Sequence, residues 1–178
     1  MTSSFLEEVI KESNVDIRAC YQCQKCSVGC PVVSDMDIFP NQVIRQIQYG
    51  RRKKVLSSKS IWICTSCYTC SVRCPNDIDF AKVMDSLRHI ALHSGISAGE
   101  KNIPVFHKVF LDTIKGTGRI HELSLILRFK LKTKDFLKDA GLGLQMFRRG
   151  KIKLLPQSFT GVKEIKDIFN AYEKGGGR

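Results

Sequence analysis

The segment Cys20-Tyr-Gln-Cys23-Gln-Lys-Cys26-Ser-Val-Gly-Cys30-Pro31 is followed, forty-four positions later, by Cys64-Thr-Ser-Cys67-Tyr-Thr-Cys70-Ser-Val-Arg-Cys74-Pro75. Both runs have the pattern C-x2-C-x2-C-x3-C-P, and together they use all eight cysteines of the 178-residue chain. Thiolates are soft ligands that suit zinc as well as iron-sulfur clusters. A repeated four-cysteine unit therefore predicts metal binding by Cys20, Cys23, Cys26, Cys30, Cys64, Cys67, Cys70 and Cys74.

The spacing within each run favours iron-sulfur clusters over zinc. A structural zinc site usually takes two C-x2-C pairs, whereas cysteines at i, i+3 and i+6 wrap a tight turn around three corners of a cube. The fourth cysteine, Cys30 or Cys74, leaves this turn because the proline after it disfavours helix at the preceding residue. Two [4Fe-4S] clusters are the predicted cofactors. Zinc stays the alternative, and zinc in place of iron after anaerobic purification would support it.

The two runs resemble those of bacterial two-cluster ferredoxins, in which the fourth cysteine of each run binds the cluster of the other run. This resemblance implies two sets of cofactor-binding residues, namely Cys20, Cys23, Cys26 and Cys74 for cluster 1, and Cys64, Cys67, Cys70 and Cys30 for cluster 2. No cysteine is left over, and no G-x-G-x-x-G segment follows a strand pattern. We therefore expect no catalytic residue in this chain.

The residues around the runs have the apolar periodicity of helices, and alternating strand patterns are scarce. Segments with helical spacing lie at residues 5–10, 40–50, 79–93, 105–114, 123–131, 136–147 and 162–172. The forty-four-residue interval thus predicts a duplicated unit of a cluster loop and a following helix. The predicted fold class is all-α, with an alpha-helical ferredoxin domain that binds both clusters and a C-terminal helical extension.

The length of the chain favours one compact domain with an appendage over two large domains. We predict an alpha-helical ferredoxin domain at residues 1–103 and a basic helical extension at residues 104–178. The extension is rich in Lys and Arg and has little apolar sequence for a second core. We therefore expect it to dock on the first domain or on partner subunits.

The chain has a formal net charge of +12. Two oxidised clusters, each about −2 with its thiolates, lower this to about +8. Such a surplus suits an acidic protein, a nucleic acid or an anionic membrane surface. The basic residues are not interleaved with an aromatic platform, so we expect no nucleic-acid partner. An iron-sulfur protein that binds nucleic acid nevertheless stays as an alternative of another class.

The cysteine chemistry and the apolar segments predict a cytoplasmic protein. Eight free thiols require a reducing compartment, since an oxidising one would close C-x2-C pairs as disulfides. The first residues lack the basic and apolar regions of a secretory signal. No segment approaches the ~20 apolar residues of a spanning helix, so we expect no membrane span.

The stretch from Cys20 to Arg88 contains Phe39-Pro40-Asn41 between the runs and Ile61-Trp62-Ile63 before the second, and Gly150-Lys-Ile-Lys-Leu-Leu-Pro156 follows downstream. In these features the chain resembles the C-subunit family of soluble heterodisulfide reductases from methanogenic archaea. The cluster part is shared with iron-sulfur subunits of succinate, fumarate, glycerol 3-phosphate and glycolate oxidoreductases. Only nineteen residues precede Cys20, so the [2Fe-2S] domain of succinate and fumarate subunits is not expected.

The resemblance implies a non-catalytic electron-transfer subunit of a hetero-oligomeric oxidoreductase. In this family, the C-type protein relays electrons from the A-type protein, which holds flavin and iron-sulfur centres, to the B-type protein, which has Cys-Cys-Gly motifs. The B-type protein is catalytic and reduces the heterodisulfide of coenzyme M and coenzyme B in methanogenesis. A hydrogenase or formate dehydrogenase is an indirect partner. The alternative is an iron-sulfur electron-transfer subunit of another oxidoreductase, such as a glycerol 3-phosphate, glycolate or quinone-linked dehydrogenase.

Overall fold

The computed structural model describes residues 4–134, 141, 145–146, 148–150 and 161–175. Within these residues all regular structure is helical and no strand occurs, which confirms the predicted all-α, helical ferredoxin-like class. The α-helices are α1 Phe5–Ser13, α2 Lys25–Val28, α3 Pro40–Gln48, α4 Arg52–Leu56, α5 Ser60–Ile63, α6 Thr69–Val72, α7 Phe80–His93, α8 Asn102–Thr117, α9 Glu122–Thr133 and α10 Val162–Lys174. A 3-10 helix at Val33–Asp35 precedes α3. The chain divides into two compact units, Met1–Lys101 and Asn102–Arg178.

The helices α1, α3 and α7 form where apolar periodicity and capping residues predict them. Ser4 caps α1 because its hydroxyl accepts a hydrogen bond from the Glu7 amide at 3.3 Å. Pro40 opens α3, and Gly50 follows its end with a φ of 68°. Outside the first unit, the predicted helix at 136–147 and the segment from Gly150 to Pro156 lie largely outside the described residues.

Helix α7 is the centre of the first unit. It packs against α1, α4, α5 and α6, and α1 also packs against α3. The apolar side chains of this unit that are fully removed from solvent are Val9, Ile17, Val43, Ile47, Val55, Leu56, Ile61, Val83, Met84 and Leu87. Burial of each such side chain contributes roughly 1.5–3 kcal/mol before entropy is counted. One core therefore supports the segments that lead into both cysteine runs.

Two short helices between the runs have no clear sequence signal. Helices α4 and α5 have five and four residues, too few for a helical period to be visible. Tertiary contacts hold them instead. Val55 and Leu56 of α4 enter the core, and the Asp37 carboxylate accepts hydrogen bonds from the amides of Lys59 and Ser60 at 3.1 and 3.0 Å. Helix α5 ends directly before Cys64, so its position fixes the start of the second run.

In the second unit, α8 packs against α9 and α10. The rings of Phe106 and Phe129 meet edge to face at 5.6 Å, and the Lys115 ammonium lies 2.7 Å from the Glu173 carboxylate. Helix α8 begins two residues before Pro104, which a first turn tolerates because its amides have no helical partner. None of the described helices combines the length and apolarity needed to cross a membrane.

Two glycines allow a matched test of backbone strain. An added Cβ at Gly50 or at Gly116 meets no atom within 4 Å, so substitution by alanine changes only the backbone energy. Gly50 has a positive φ, and Gly50→Ala should destabilise the protein by about 1 kcal/mol. Gly116 lies within α8, and Gly116→Ala should be neutral or stabilising by roughly 0.5 kcal/mol. Anaerobic urea unfolding measures both, and a neutral Gly50→Ala would contradict the strain argument.

Candidate iron-sulfur cluster sites

The two cysteine runs adopt the same backbone shape. Between their first three cysteines, each run has two residues in the left-handed region: Gln22 and Gln24 at φ of 64° and 66°, and Ser66 and Tyr68 at 51° and 61°. Positive φ is uncommon for residues other than glycine, so its recurrence at corresponding positions indicates one loop type used twice. Each loop continues into a four-residue helix, α2 or α6, that contains the third cysteine.

Cys30 of the first run lies with the cysteines of the second run. Cys30, Cys64, Cys67 and Cys70 line one pocket. Met36, Pro40, Phe80 and Ala81 form apolar walls of this pocket. Burial raises the pKa of the Cys30 thiol, and the nearby Cys64 and Cys67 raise this pKa further. A hydrogen bond with the Val32 backbone lowers the pKa but does not cancel the increase. The structure thus brings together the four cysteines that sequence analysis assigned to cluster 2.

The remaining cysteines are Cys20, Cys23, Cys26 and Cys74. Burial raises the pKa of the Cys26 thiol, and the nearby Cys20 and Cys23 raise it further. The pKa of the Tyr21 phenol is raised by partial desolvation first and then by the thiols of both Cys23 and Cys74. The Asn76 amide donates to the Ala19 carbonyl, which ties the end of the second run to the start of the first. Cys74 therefore lies near the first run, as its predicted assignment to cluster 1 requires.

The thiols differ in how readily they lose a proton. Burial and the adjacent Cys64 raise the pKa of Cys70 to about 11. By contrast, hydrogen bonds from the Thr69 side chain and amide lower the pKa of the exposed Cys67. Metal ligands bind as thiolates, so positive iron must replace protons at the buried cysteines. Within the part of the chain that the structure describes, no group of three or more His, Cys, Asp or Glu side chains is arranged around a single ion position.

A serine after the third cysteine of each run joins the loop to the following helix. Ser27 Oγ accepts from the Asn41 amide at 3.0 Å and donates to the Asn41 side chain at 2.7 Å. Ser71 Oγ accepts from the Ala81 amide at 3.2 Å and donates to Asp79 at 2.9 Å. The sequence-based prediction of site residues did not include Ser27 or Ser71. The signal was present, because Cys-Ser-Val occurs at the same place in both runs.

Polar side chains also reach the cysteine sulfurs themselves. The Gln22 amide donates to Cys20 Sγ at 3.3 Å and is held by the Asn41 amide at 3.2 Å. Thr69 Oγ1 lies 3.4 Å from Cys67 Sγ. Hydrogen bonds to sulfur are among the factors that set the potential of an iron-sulfur cluster. The eight thiols, with polar side chains at Cys20 and Cys67 and apolar walls beside Cys30, Cys64 and Cys70, therefore have the donor chemistry that [4Fe-4S] clusters need.

Comparison with known proteins agrees with this chemistry. Residues 16–78 match the 4Fe-4S dicluster domain family. The second iron-sulfur C-type protein of the CoB–CoM heterodisulfide reductase of Methanocaldococcus jannaschii is 35% identical over 103 residues, which are 53% of this chain and 55% of that protein. Its counterpart in Methanopyrus kandleri is 33% identical over 97 residues, 54% of this chain and 50% of that one. The C-type protein of the ferredoxin:CoB-CoM heterodisulfide reductase of Methanosarcina mazei is 33% identical over 98 residues, 55% of this chain and 60% of that protein.

These matches cover only part of each protein. The chain spans about half the length of the curated relatives it matches, and the matched lengths of about 100 residues are close to that of the first unit. The predicted resemblance and the predicted 4Fe-4S chemistry are confirmed at this level. The chain thus has a match to the 4Fe-4S dicluster domain family at residues 16–78 and is similar, over about half its length, to the C-type iron-sulfur proteins of CoB–CoM heterodisulfide reductases.

Proposed function

We propose that this protein is a cytoplasmic electron-transfer subunit of a heterodisulfide reductase complex. Cys20, Cys23, Cys26 and Cys74 hold one [4Fe-4S] cluster, and Cys64, Cys67, Cys70 and Cys30 hold the other. The main support is that Cys30 lines one pocket with Cys64, Cys67 and Cys70, so that the first run contributes a cysteine to the site of the second. In the complex, the chain passes electrons from a flavin-containing partner to a catalytic partner that reduces the heterodisulfide of coenzymes M and B.

The residues of this chain bind and insulate the redox centres. When bound, the two clusters supply reversible one-electron transfer. The crossed ligands keep the two sites adjacent, since the Cys30 and Cys74 thiols belong to the same loops as the ligands of the neighbouring site. Apolar residues such as Met36 and Phe80 line the second site, whereas Cys23 of the first site and Cys67 of the second are exposed. Exposed ligands shorten the path to a partner, as an electron-transfer protein requires.

The surface beside Cys23 suits a protein partner. Cys23, Lys25, Val28 and Arg73 line one shallow groove, and Val28 is 81% exposed. Lys25 and Arg73 form no ion pair within the described residues. A cationic and apolar surface next to a redox site favours docking of a protein with a complementary acidic surface. The predicted basic extension at residues 104–178 is proposed to bind the partner proteins as well.

The cofactor content tests the first part of this proposal. Anaerobically purified protein should contain about eight iron and eight inorganic sulfide atoms per chain. Reduction with dithionite should produce the electron paramagnetic resonance spectra of two [4Fe-4S] clusters. Stoichiometric zinc with no visible absorption would contradict the assignment.

Reconstitution tests the place of the chain in the complex. The flavin-containing and catalytic partners are mixed with or without the chain, and heterodisulfide reduction is followed with a chemical electron donor to the flavin. Omission of the chain should lower the rate at least tenfold, because the proposed path from the flavin to the catalytic partner runs through the two clusters of this chain. A full rate with the two partners alone would mean that the chain transfers electrons in a different oxidoreductase, such as a glycerol 3-phosphate or glycolate dehydrogenase.

A further inference from the structure

The helix after each cysteine run binds back to the segment that enters the run. In the first half, the Gln48 side-chain amide donates to the Ile17 carbonyl at 3.0 Å. In the second half, Arg88 Nε donates to the Ile61 carbonyl at 2.5 Å. Gln48 and Arg88 are each the ninth residue of their helices, α3 and α7. Ile17 and Ile61 each lie three residues before the first cysteine of a run, so the two contacts are equivalent.

The two contacts differ in charge and in extent. Arg88 also donates to the carbonyl of Cys64 and to the Ser66 hydroxyl at 3.3 Å, and its side chain is only 17% exposed. Gln48 is neutral and makes one such contact, and within the described residues no side chain donates to the Cys20 carbonyl. The second site thus has a permanent positive charge bonded directly to the backbone of a cysteine ligand. The first site has a neutral amide in that place, and the nearby Arg45 guanidinium donates to the Gln48 side-chain oxygen at 3.2 Å rather than to the backbone of the run.

The charge of Arg88 is only partly offset by its neighbours. Asp85 lies 2.7 Å from the guanidinium, but its side chain is 52% exposed, so water and salt screen its charge. Lys25 and Arg73, the cations next to Cys23, are exposed and screened in the same way. A shielded charge acts through a lower effective dielectric and has a larger effect on a nearby redox centre.

We propose that Arg88 is a positioning residue that raises the reduction potential of the cluster bound by the second run. A reduced cluster has one more negative charge than an oxidised one, so a fixed positive charge favours reduction. The same side chain holds the carbonyls of Ile61 and Cys64 and so fixes the start of the run. The proposal rests on the proposed function, since it requires that both runs bind clusters.

Potentiometric titration of the anaerobic holoprotein, followed by electron paramagnetic resonance, tests the proposal. Arg88→Gln places the first-half residue in the second half, and Arg88→Lys keeps the charge. Arg88→Gln should lower the midpoint of one cluster by at least 59 mV, which is a tenfold change in its ratio of reduced to oxidised forms. The affected spectrum should be the one missing from Cys67→Ala. Arg88→Lys should retain most of the wild-type midpoint.

The reciprocal variant Gln48→Arg keeps the proposal testable if Arg88→Gln fails to bind the cluster of the second run. It should raise the midpoint of the other cluster, because it introduces the same charge at the equivalent place. Unchanged midpoints in both Arg88→Gln and Gln48→Arg would overturn the proposal. A midpoint that falls as far in Arg88→Lys as in Arg88→Gln would also overturn it. A wild-type protein without two clusters would instead refute the proposed function, so the two failures are distinguishable.

Discussion

Replacing Cys30 with alanine should remove the cluster of the second run and leave that of the first run in place. Although Cys30 belongs to the first run, it lines a pocket with Cys64, Cys67 and Cys70. Loss of one thiolate from four leaves an open iron corner, which makes the cluster labile. The iron content should therefore fall from about eight to about four atoms per chain.

The identity of the surviving cluster shows whether the fourth cysteine of each run binds the cluster of the other run. The spectrum of reduced Cys30→Ala should match that of Cys67→Ala, and the spectrum of Cys74→Ala should match that of Cys23→Ala. Cys67 and Cys23 serve as references because each belongs to its own run under either arrangement of ligands. If Cys30→Ala resembled Cys23→Ala instead, each run would hold its own cluster and the proposed crossing would be wrong.

Replacing Asp37 with alanine should destabilise the first unit by about 2 kcal/mol. The Asp37 carboxylate accepts hydrogen bonds from the hydroxyls of Ser58 and Ser60 at 2.8 and 2.6 Å, besides the two amides at the start of α5. Ser58 and Ser60 are at most 2% exposed, so their hydroxyls lose a partner that water replaces poorly. The urea midpoint should fall by about 1 M in an anaerobic titration followed by helical circular dichroism and cluster absorbance.

Asp35→Ala is the matched control, because it removes the same charge from an exposed side chain two residues away. It should change stability by less than about 0.5 kcal/mol. An equal loss of stability in both variants would mean that the removed negative charge, rather than the hydrogen bonds of Asp37, is responsible.

The pH dependence of the Asp37 contribution has a defined sign. Partial burial raises the pKa of this carboxyl, but the bonds from Ser60, Ser58 and Lys59 outweigh that effect, so the pKa lies below its ordinary value. A depressed carboxyl pKa contributes stability that is complete above the unfolded value of about 3.9 and is lost as pH falls through the folded value. The deficit of Asp37→Asn should therefore stay constant between pH 6 and 8. A deficit that changed across this range would point to another titrating group.

Much of the first unit was predictable from local sequence. The bounds of α3 follow from Pro40 and Gly50, and α7 follows from its apolar period and Asp79, whose side chain accepts from the Lys82 amide. Short helices were not predictable in this way, because α4 and α5 depend on contacts with residues that are distant in sequence. The partners of Arg88, twenty-four and twenty-seven positions away, likewise leave no periodic trace.

The sequence by itself determined the chemistry of this protein: two equivalent cysteine runs, all eight thiols committed to them, and helices on both sides. Those features depend on residue type and on spacings of a few positions, which local geometry dictates. Only the tertiary structure decided that Cys30 lies beside Cys64, Cys67 and Cys70, and that a partly buried arginine lies where the other half has a glutamine. Such neighbours are selected by packing of the whole core around α7, and no local pattern encodes that packing.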